Sequence, residues 1–243
     1  MDSYTAFAKV YDLLMDNVPY GEWAQRIIAI LGADGIRDGL ILDLACGTGS
    51  MTGLLSEAGY DMIGADASAE MLEAAREKTA GKGSEILYLC QDMRSFELYG
   101  TVRAVVCMCD SINYLLTKDD LLACFKLVNN YLDPGGLFLF DFHPTAYYSD
   151  CLGDTVIAER REECSFIWEN SWDGAINECL LTMFVKAEDG RYDCFEEQHL
   201  QCGYTLKEIK ELLKEAGLIF EKSEEIGDEG DERILVVARE QGK

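Results

Sequence analysis

Asp43, Asp66, Asp92 and Asp110 each stand at or just past the end of a short apolar run, and Cys46-Gly47-Thr48-Gly49-Ser50 follows the first of them. Carboxylates accept hydrogen bonds from hydroxyls and amines, and glycines take positive φ and let a ligand approach the main chain. The free N–H groups of the helix that opens behind such a turn face the same ligand. A nucleotide-like molecule is the natural occupant, although a glycine turn by itself is equally a tight strand-to-helix connection. Asp66 lies 17 residues beyond Gly49, near the spacing at which a carboxylate ending a second strand takes ribose hydroxyls; alternatively it caps the helix beginning at Ala67-Ser68. Asp110 either lines the site or caps the next turn, with Asn113 beside it and Tyr114 as a wall. His143, one of two histidines, is either a general base near neutral pH or a surface histidine with no role.

These residues need a parallel sheet to bring them together. The apolar run bounded by Gly39 and Gly47, Tyr60–Asp66, Ile86–Cys90, Val102–Cys109 and Leu137–Phe142 read as five strands separated by helical patterns, the last preceded by the stop signal Leu132-Asp133-Pro134-Gly135-Gly136. Ligands of such sheets bind outside the carboxyl ends of the strands, so the acids converge on one crevice. Tyr20, Trp23, Ile27, Ile30 and Leu31 form one helical stripe. After about Cys151 the pattern changes to period two. Phe166, Trp168 and Trp172 share one face, Ile176, Leu180 and Phe184 the next, and Tyr192, Cys194, Leu200 and Cys202 a third, with Asp173-Gly174 and Asp189-Gly190 as turns. The helix capped by Thr205 and the strands Leu218–Glu221 and Arg233–Ala238 return to the first pattern.

The dinucleotide fingerprint G-x-G-x-x-G/A fails at Thr52. Asp43-Leu44-Ala45-Cys46-Gly47-Thr48-Gly49, with Asp66, Asp92-Met93, the run Leu132-Asp133-Pro134-Gly135-Gly136 and the closing pair of strands, instead resembles the class I S-adenosylmethionine-dependent methyltransferases. Ala45 stands where many members carry glycine. The opening Tyr4-Thr5-Ala6-Phe7-Ala8-Lys9-Val10-Tyr11-Asp12 is similar to that of the small-molecule branch acting on sugars and glycine. The resemblance implies a Rossmann-like seven-stranded α/β sheet with helices on both faces and an inserted antiparallel β lid: a core of residues 1–150 and 204–243, and an insertion, 151–203, serving as roof or as dimer interface. It implies S-adenosylmethionine as cofactor and S-adenosylhomocysteine as product. The cofactor residues would be Asp43, Ala45, Gly47, Gly49, Asp66 (ribose), Ala67, Met71 (adenine), Asp92 and Met93 (adenine), and Asp110. The acceptor pocket would use Tyr11, Asn113, Tyr114 and His143, with His143 and Tyr11 as catalytic candidates and methyl transfer to N or O of a small molecule as the reaction. A catalytically silent cofactor-binding module, aminopropyl transfer and a nicotinamide-dependent oxidoreductase are the alternatives.

Composition bounds the acceptor. With 45 acidic against 21 basic residues, the formal charge of -24 repels nucleic acid and anionic membranes; it favours a neutral or cationic small molecule, or serves solubility alone. Ten scattered cysteines, with no C-x-x-C, read as reduced thiols of a cytoplasmic protein. The nearest pair, Cys107-x-Cys109, would share one face of a strand. Two histidines make a structural metal site improbable, and no apolar run reaches the ~20 residues of a membrane span.

Overall fold

The computed structural model describes residues 11–12, 14–80, 85–187, 189–227 and 231–242. The aromatic opening at Tyr4 and Phe7 and the loop residues Asp228–Gly230 lie outside them.

Helix α1 (Tyr20–Ala33) buries Trp23, Ala24, Ile27 and Leu31. It is followed by β1 (Leu40–Leu44), α2 (Ser50–Glu57), β2 (Asp61–Asp66), α3 (Ala69–Thr79), β3 (Leu87–Cys90), β4 (Val102–Cys107), α4 (Lys118–Tyr131) and β5 (Leu132–Phe142). After a second group of strands, β6 (Val156–Arg160), β7 (Cys164–Trp172), β8 (Ile176–Lys186) and β9 (Tyr192–Cys202), come α5 (Leu206–Glu215), β10 (Leu218–Glu225) and β11 (Ile234–Glu240). The main sheet has the order β10-β11-β5-β4-β1-β2-β3. All its pairs are parallel except those of β11, which runs antiparallel to both β5 and β10.

Both faces of this sheet are covered, which is why its strands read as continuous apolar runs. Leu42, Leu44, Val105, Phe138 and Phe140 pack under α4 and α5, while Ile41, Val106 and Leu139 pack under α1 and α2. Thr117 caps α4 through Asp120 N, and Thr205 and Glu208 form a reciprocal capping box on α5. Strand β5 starts at Leu132, earlier than the stop signal suggests, with a register shift opposite Val102–Ala104. A Cβ on Gly136 would stand 2.9 Å from Arg103 O, so glycine lets the two strands close on each other there.

The second sheet is wholly antiparallel, in the order β6-β7-β8-β9. The chain leaves and rejoins the main sheet at one point, where Pro144 bridges Tyr204 and Thr145 N donates to Tyr204 O at 3.3 Å. Strand β6 carries no alternation, being exposed throughout, and escapes the period-two reading. The face of β8 and β9 that carries Leu180 and Leu200 is the outer one. Leu180 and Leu200 are 39% and 38% exposed, whereas Asn177, Cys179, Leu181 and Met183 with Glu197 and Gln201 are buried. Apolar residues occupy both faces of β8, so hydropathy alone gives it no unique parity. Cys107 and Cys109 likewise do not share a strand face, because β4 ends at Cys107 and Cys109 takes φ 60. All ten cysteines are free thiols.

Candidate active site

The chain passes from β1 to β2 on one side and to β4 on the other, so the order of the main sheet reverses between β1 and β4. A crevice opens at such a point. Here it is a cleft lined by Asp43, Ala45, Cys46, Gly47, Thr48, Ser50 and Met51 after β1, by Met108, Cys109 and Ser111 after β4, and by Tyr11 and Tyr20 from the N-terminal side.

The turn after β1 is held by its acids. Asp66 accepts from Gly47 N at 2.8 Å and from Ser68 N at 2.9 Å, so it ties the glycine turn to the end of β2. The cap of α3 is Ser68, whose hydroxyl accepts from Met71 N. Asp43 is 1% exposed and accepts from Thr52 Oγ1 at 2.5 Å. Burial raises its pKa to about 7, against the lowering effect of the Thr52 bond. Thr52, the residue that spoils the dinucleotide fingerprint, is therefore the hydroxyl partner of the buried acid. Gly47 and Gly49 take φ 54 and 73. A Cβ on Gly49 would stand 2.7 Å from Tyr88 Oη, whereas one on Gly47 meets nothing within 4 Å, leaving open space beside its main chain.

Ala45 also takes positive φ, 58, a conformation that costs a non-glycine residue about 1 kcal/mol. Replacing it by glycine is expected to stabilise the protein by about that amount, partly offset by the greater freedom of the unfolded chain. Calorimetric melting checks this, with a rise of roughly 2–4 °C expected for a chain of this size.

The other candidate residues divide. Tyr11 lines the cleft; burial pushes its phenol pKa up, so near neutral pH it is a hydrogen-bonding phenol and no phenolate base. Met71 is buried between α3 and the second sheet, in one cluster with Phe166, Leu181 and Met183 and with Tyr11 against it. Ala67 is exposed beside Asp66, and Met93 packs partly into the main core. Both Asp92 oxygens face Arg94, whose hydrogen bonds hold that carboxyl below its usual range.

Asp110, at φ 48, makes no capping bond with its side chain. Its carboxylate accepts from Gln201 Nε2 at 2.7 Å and pairs with Arg233 at 2.9 Å. Asn113, expected in the acceptor pocket, is fully buried: it donates to His143 O and Cys202 O and accepts from His143 N, pinning β5 to β9. His143, expected as a general base or as a surface residue with no role, lies next to it. It is buried against Tyr147, with Nδ1 bonded to Glu232 O at 3.0 Å and Nε2 facing Arg233 Nη2 at 2.9 Å. Since guanidinium only donates, Nε2 accepts, and its lone pair is already used. Burial and the Arg233 charge push its pKa down to about 4. Tyr114 meets His199 of β9 edge-on, at 5.9 Å between ring centroids.

Lys78, absent from the sequence reading, lies across the glycine turn: it donates to Thr48 Oγ1 at 2.9 Å and Ser50 Oγ at 3.0 Å and pairs with Asp12 at 2.5 Å. A basic residue in the last turn of a helix carries no signal of this. Arg233 was visible only as the start of a strand.

Known proteins share this architecture. Residues 41–136 match a family described as a methyltransferase domain. A putative methyltransferase of Bacillus subtilis (strain 168), YqeM, is 39% identical over 216 residues, 88% of this chain and 85% of the relative. The chain belongs to the S-adenosylmethionine-dependent methyltransferases. This methyltransferase superposes on the crystal structure of a S-adenosylmethionine-dependent methyltransferase from Clostridium acetobutylicum ATCC 824 with TM-score 0.89 and 29% identity, covering 99% of this chain and 100% of that one. It is also 31% identical to a dTDP-3-amino-3,4,6-trideoxy-alpha-D-glucopyranose N,N-dimethyltransferase of Streptomyces venezuelae, over 140 residues, 55% of this chain and 56% of the relative.

The cleft of the methyltransferase has the chemistry its cofactor needs. Two partly or fully buried carboxylates, Asp43 and Asp66, receive only neutral donors there, and open space lies over Gly47. That suits a ligand with an ammonium group, a sulfonium and ribose hydroxyls; pyrophosphate would be repelled. Among the described residues no cluster of His, Cys, Asp or Glu could hold a metal ion, and no helix is long and apolar enough to cross a membrane.

Proposed function

We propose that this methyltransferase acts on a nitrogen or oxygen of a small molecule that binds between the cleft and the second sheet. The observation that carries this is the position of the second sheet, whose inner face packs on Met71 and Tyr11 beside the cofactor cleft and contacts Asp110 through Gln201. Residues 151–203 then form the roof of an enclosed acceptor chamber. A long polymer would need an open groove there, and the charge of -24 opposes a nucleic acid. The aminosugar relative, an N,N-dimethyltransferase by name, supports a small acceptor.

S-adenosylmethionine supplies an electrophilic methyl group on a sulfonium. On the protein's side, Asp66 takes the ribose hydroxyls while keeping Gly47 in place, and Asp43, ionised, faces the ammonium group directly or through water. Tyr11 and Tyr20 close the N-terminal side and exclude water. Most of the acceleration then comes from holding two reactants in attack geometry. His143, with its lone pair spent on Arg233, orders Arg233 and Asp110 and takes no proton. Incubating the protein with methyl-labelled S-adenosylmethionine and either a low-molecular-mass metabolite extract or bulk RNA and protein tests this. Label entering the small molecules is expected; label entering only the polymers would overturn it.

A further inference from the structure

Among the described residues three that are not glycine take positive φ: Ala45, Cys109 and Asp110. Ala45 and Cys109 line the cleft, and Asp110 sits between its lining residues Cys109 and Ser111. Such a conformation crowds the Cβ of an ordinary residue and persists only where the surroundings over-determine it. Ala45 is a single such residue in a turn that also holds two glycines. Cys109 and Asp110 are consecutive, at φ 60 and 48, with Met108 and Ser111 on either side and no glycine next to them.

Their restraint comes from buried charges. Asp110 N donates to Asp141 Oδ2 at 3.1 Å, and Arg233 Nη1 bridges that same oxygen and Asp110 Oδ1, the latter at 2.9 Å. The other oxygen of Asp110 accepts from Gln201 Nε2 of β9 at 2.7 Å. One residue of the cleft wall is thus tied to β5, to the start of β11 and to the second sheet. Arg233 is 9% exposed and lies over the ring of Trp23 in α1, its Cζ 5.1 Å from the centroid, while Asp141 is fully buried. A buried ion pair adds little stability, because the cost of desolvation offsets the attraction. This one is also incompletely satisfied, since Asp141 Oδ1 and Arg233 Nε have no hydrogen-bond partner. Two apolar residues would close the core there at less cost, so packing does not account for the pair. What the pair does accomplish is to hold the Cys109–Asp110 step.

We infer that Arg233 is a positioning residue for methyl transfer, acting through Asp141 and Asp110 to hold the Cys109–Asp110 step in the left-handed form against which the cofactor is seated. Arg233 itself does not line the cleft. The inference rests on the cofactor placement argued above: with the ribose at Asp66 and the amino-acid portion over Gly47, the opposite wall from Met108 to Ser111 bounds the sulfonium. Released from its clamp, the step relaxes toward ordinary φ and the wall loses its shape, although no group that touches the ligand has been removed.

The test measures, by calorimetry on the full chain, dissociation constants for S-adenosylmethionine and S-adenosylhomocysteine, with melting temperatures alongside. Arg233→Gln is expected to weaken both ligands by about 10-fold or more. Arg233→Lys should stay within about 3-fold of the unaltered protein, because a single ammonium in the place of Nη1 can bridge both carboxylates as a compact point charge. Arg233→Gln also leaves Asp141 buried without its cation and lowers the melting temperature. Arg233→Met combined with Asp141→Leu removes both charges, and is expected to recover the melting temperature without recovering affinity. Affinity that recovers together with melting in this double variant would show a purely structural role and overturn the proposal. Undiminished S-adenosylhomocysteine binding by Arg233→Gln overturns it too, as does Arg233→Lys binding as weakly as Arg233→Gln. So does tighter binding of S-adenosylmethionine alone, the result expected if Arg233 acted only as a positive charge near a sulfonium. The double variant decides the matter if Arg233→Gln does not fold. An unaltered protein that binds neither ligand counts against the cofactor site itself, whereas equal binding by the unaltered protein and all variants counts against Arg233 alone.

Discussion

Asp66→Ala is expected to weaken S-adenosylmethionine binding by roughly 30- to 1000-fold. Two effects add. On the proposed reading the carboxylate would lose hydrogen bonds to the ribose, a charge-assisted bond contributing about 1.5–3 kcal/mol. Gly47 N also loses the acceptor, 2.8 Å away, that fixes the glycine turn to the end of β2. The protein itself should remain folded, because Ser68 still caps α3 and the strand pairs of β2 are main-chain bonds. Asp66→Asn separates the two effects, since its amide oxygen can still accept from Gly47 and its NH2 cannot accept from a hydroxyl. Calorimetric dissociation constants check both variants, and an Asp66→Ala protein with undiminished affinity would remove the ribose assignment.

A pH dependence centred near neutrality is the second large effect. Asp43 has a folded-state pKa of about 7 against 3.8 for the free side chain. A raised value means that the ionised group is less comfortable folded than unfolded. The stability it lends is fully present below about pH 4 and is lost as pH rises through 7, amounting to roughly 4 kcal/mol at ~1.36 kcal/mol per pH unit. Glu197, also raised to about 7, has the same sign. Cofactor binding should run the opposite way, because an ammonium group favours the ionised acid: affinity rises about tenfold per unit on the acid side of pH 7 and levels off above it. Asp43→Asn is expected to flatten both curves and to weaken binding at pH 8. Melting temperatures without ligand at pH 5.5 and 8.5, with dissociation constants over the same range, are the measurement. Parallel curves for the variant and the unaltered protein would show that Asp43 is not the titrating group.

How much of this was legible beforehand depends on whether the partner is local. Strand, turn and helix from Ile41 to Glu57 follow from apolar residues and two glycines within one short stretch, and the closing antiparallel strand β11 is visible as a run without a helix before it. What the pattern hides is pairing at a distance. Asn113 and His143 look like polar residues at a binding edge, yet their partners come from Cys202, Glu232 and Arg233, ~90 residues further along. Thr52 reads as a defect in a fingerprint because its hydroxyl's partner, Asp43, is visible only once strand and helix are packed. In the second sheet, Leu180 and Leu181 point to opposite faces and are equally apolar, so only the packing of Met71 and Tyr11 against one face decides which is inner. Glu197 goes unnoticed for the same reason, since period two alone does not tell which face of β9 is buried.

The placement of the cofactor is the claim on which the rest depends, and a crystal structure of the protein with S-adenosylhomocysteine tests it most directly. The account predicts the ribose hydroxyls within hydrogen-bonding distance of the Asp66 carboxylate, and the amino-acid portion of the ligand over Gly47 on the side of Asp43. A ligand held elsewhere, or one turned so that Asp66 faces no hydroxyl, would contradict it.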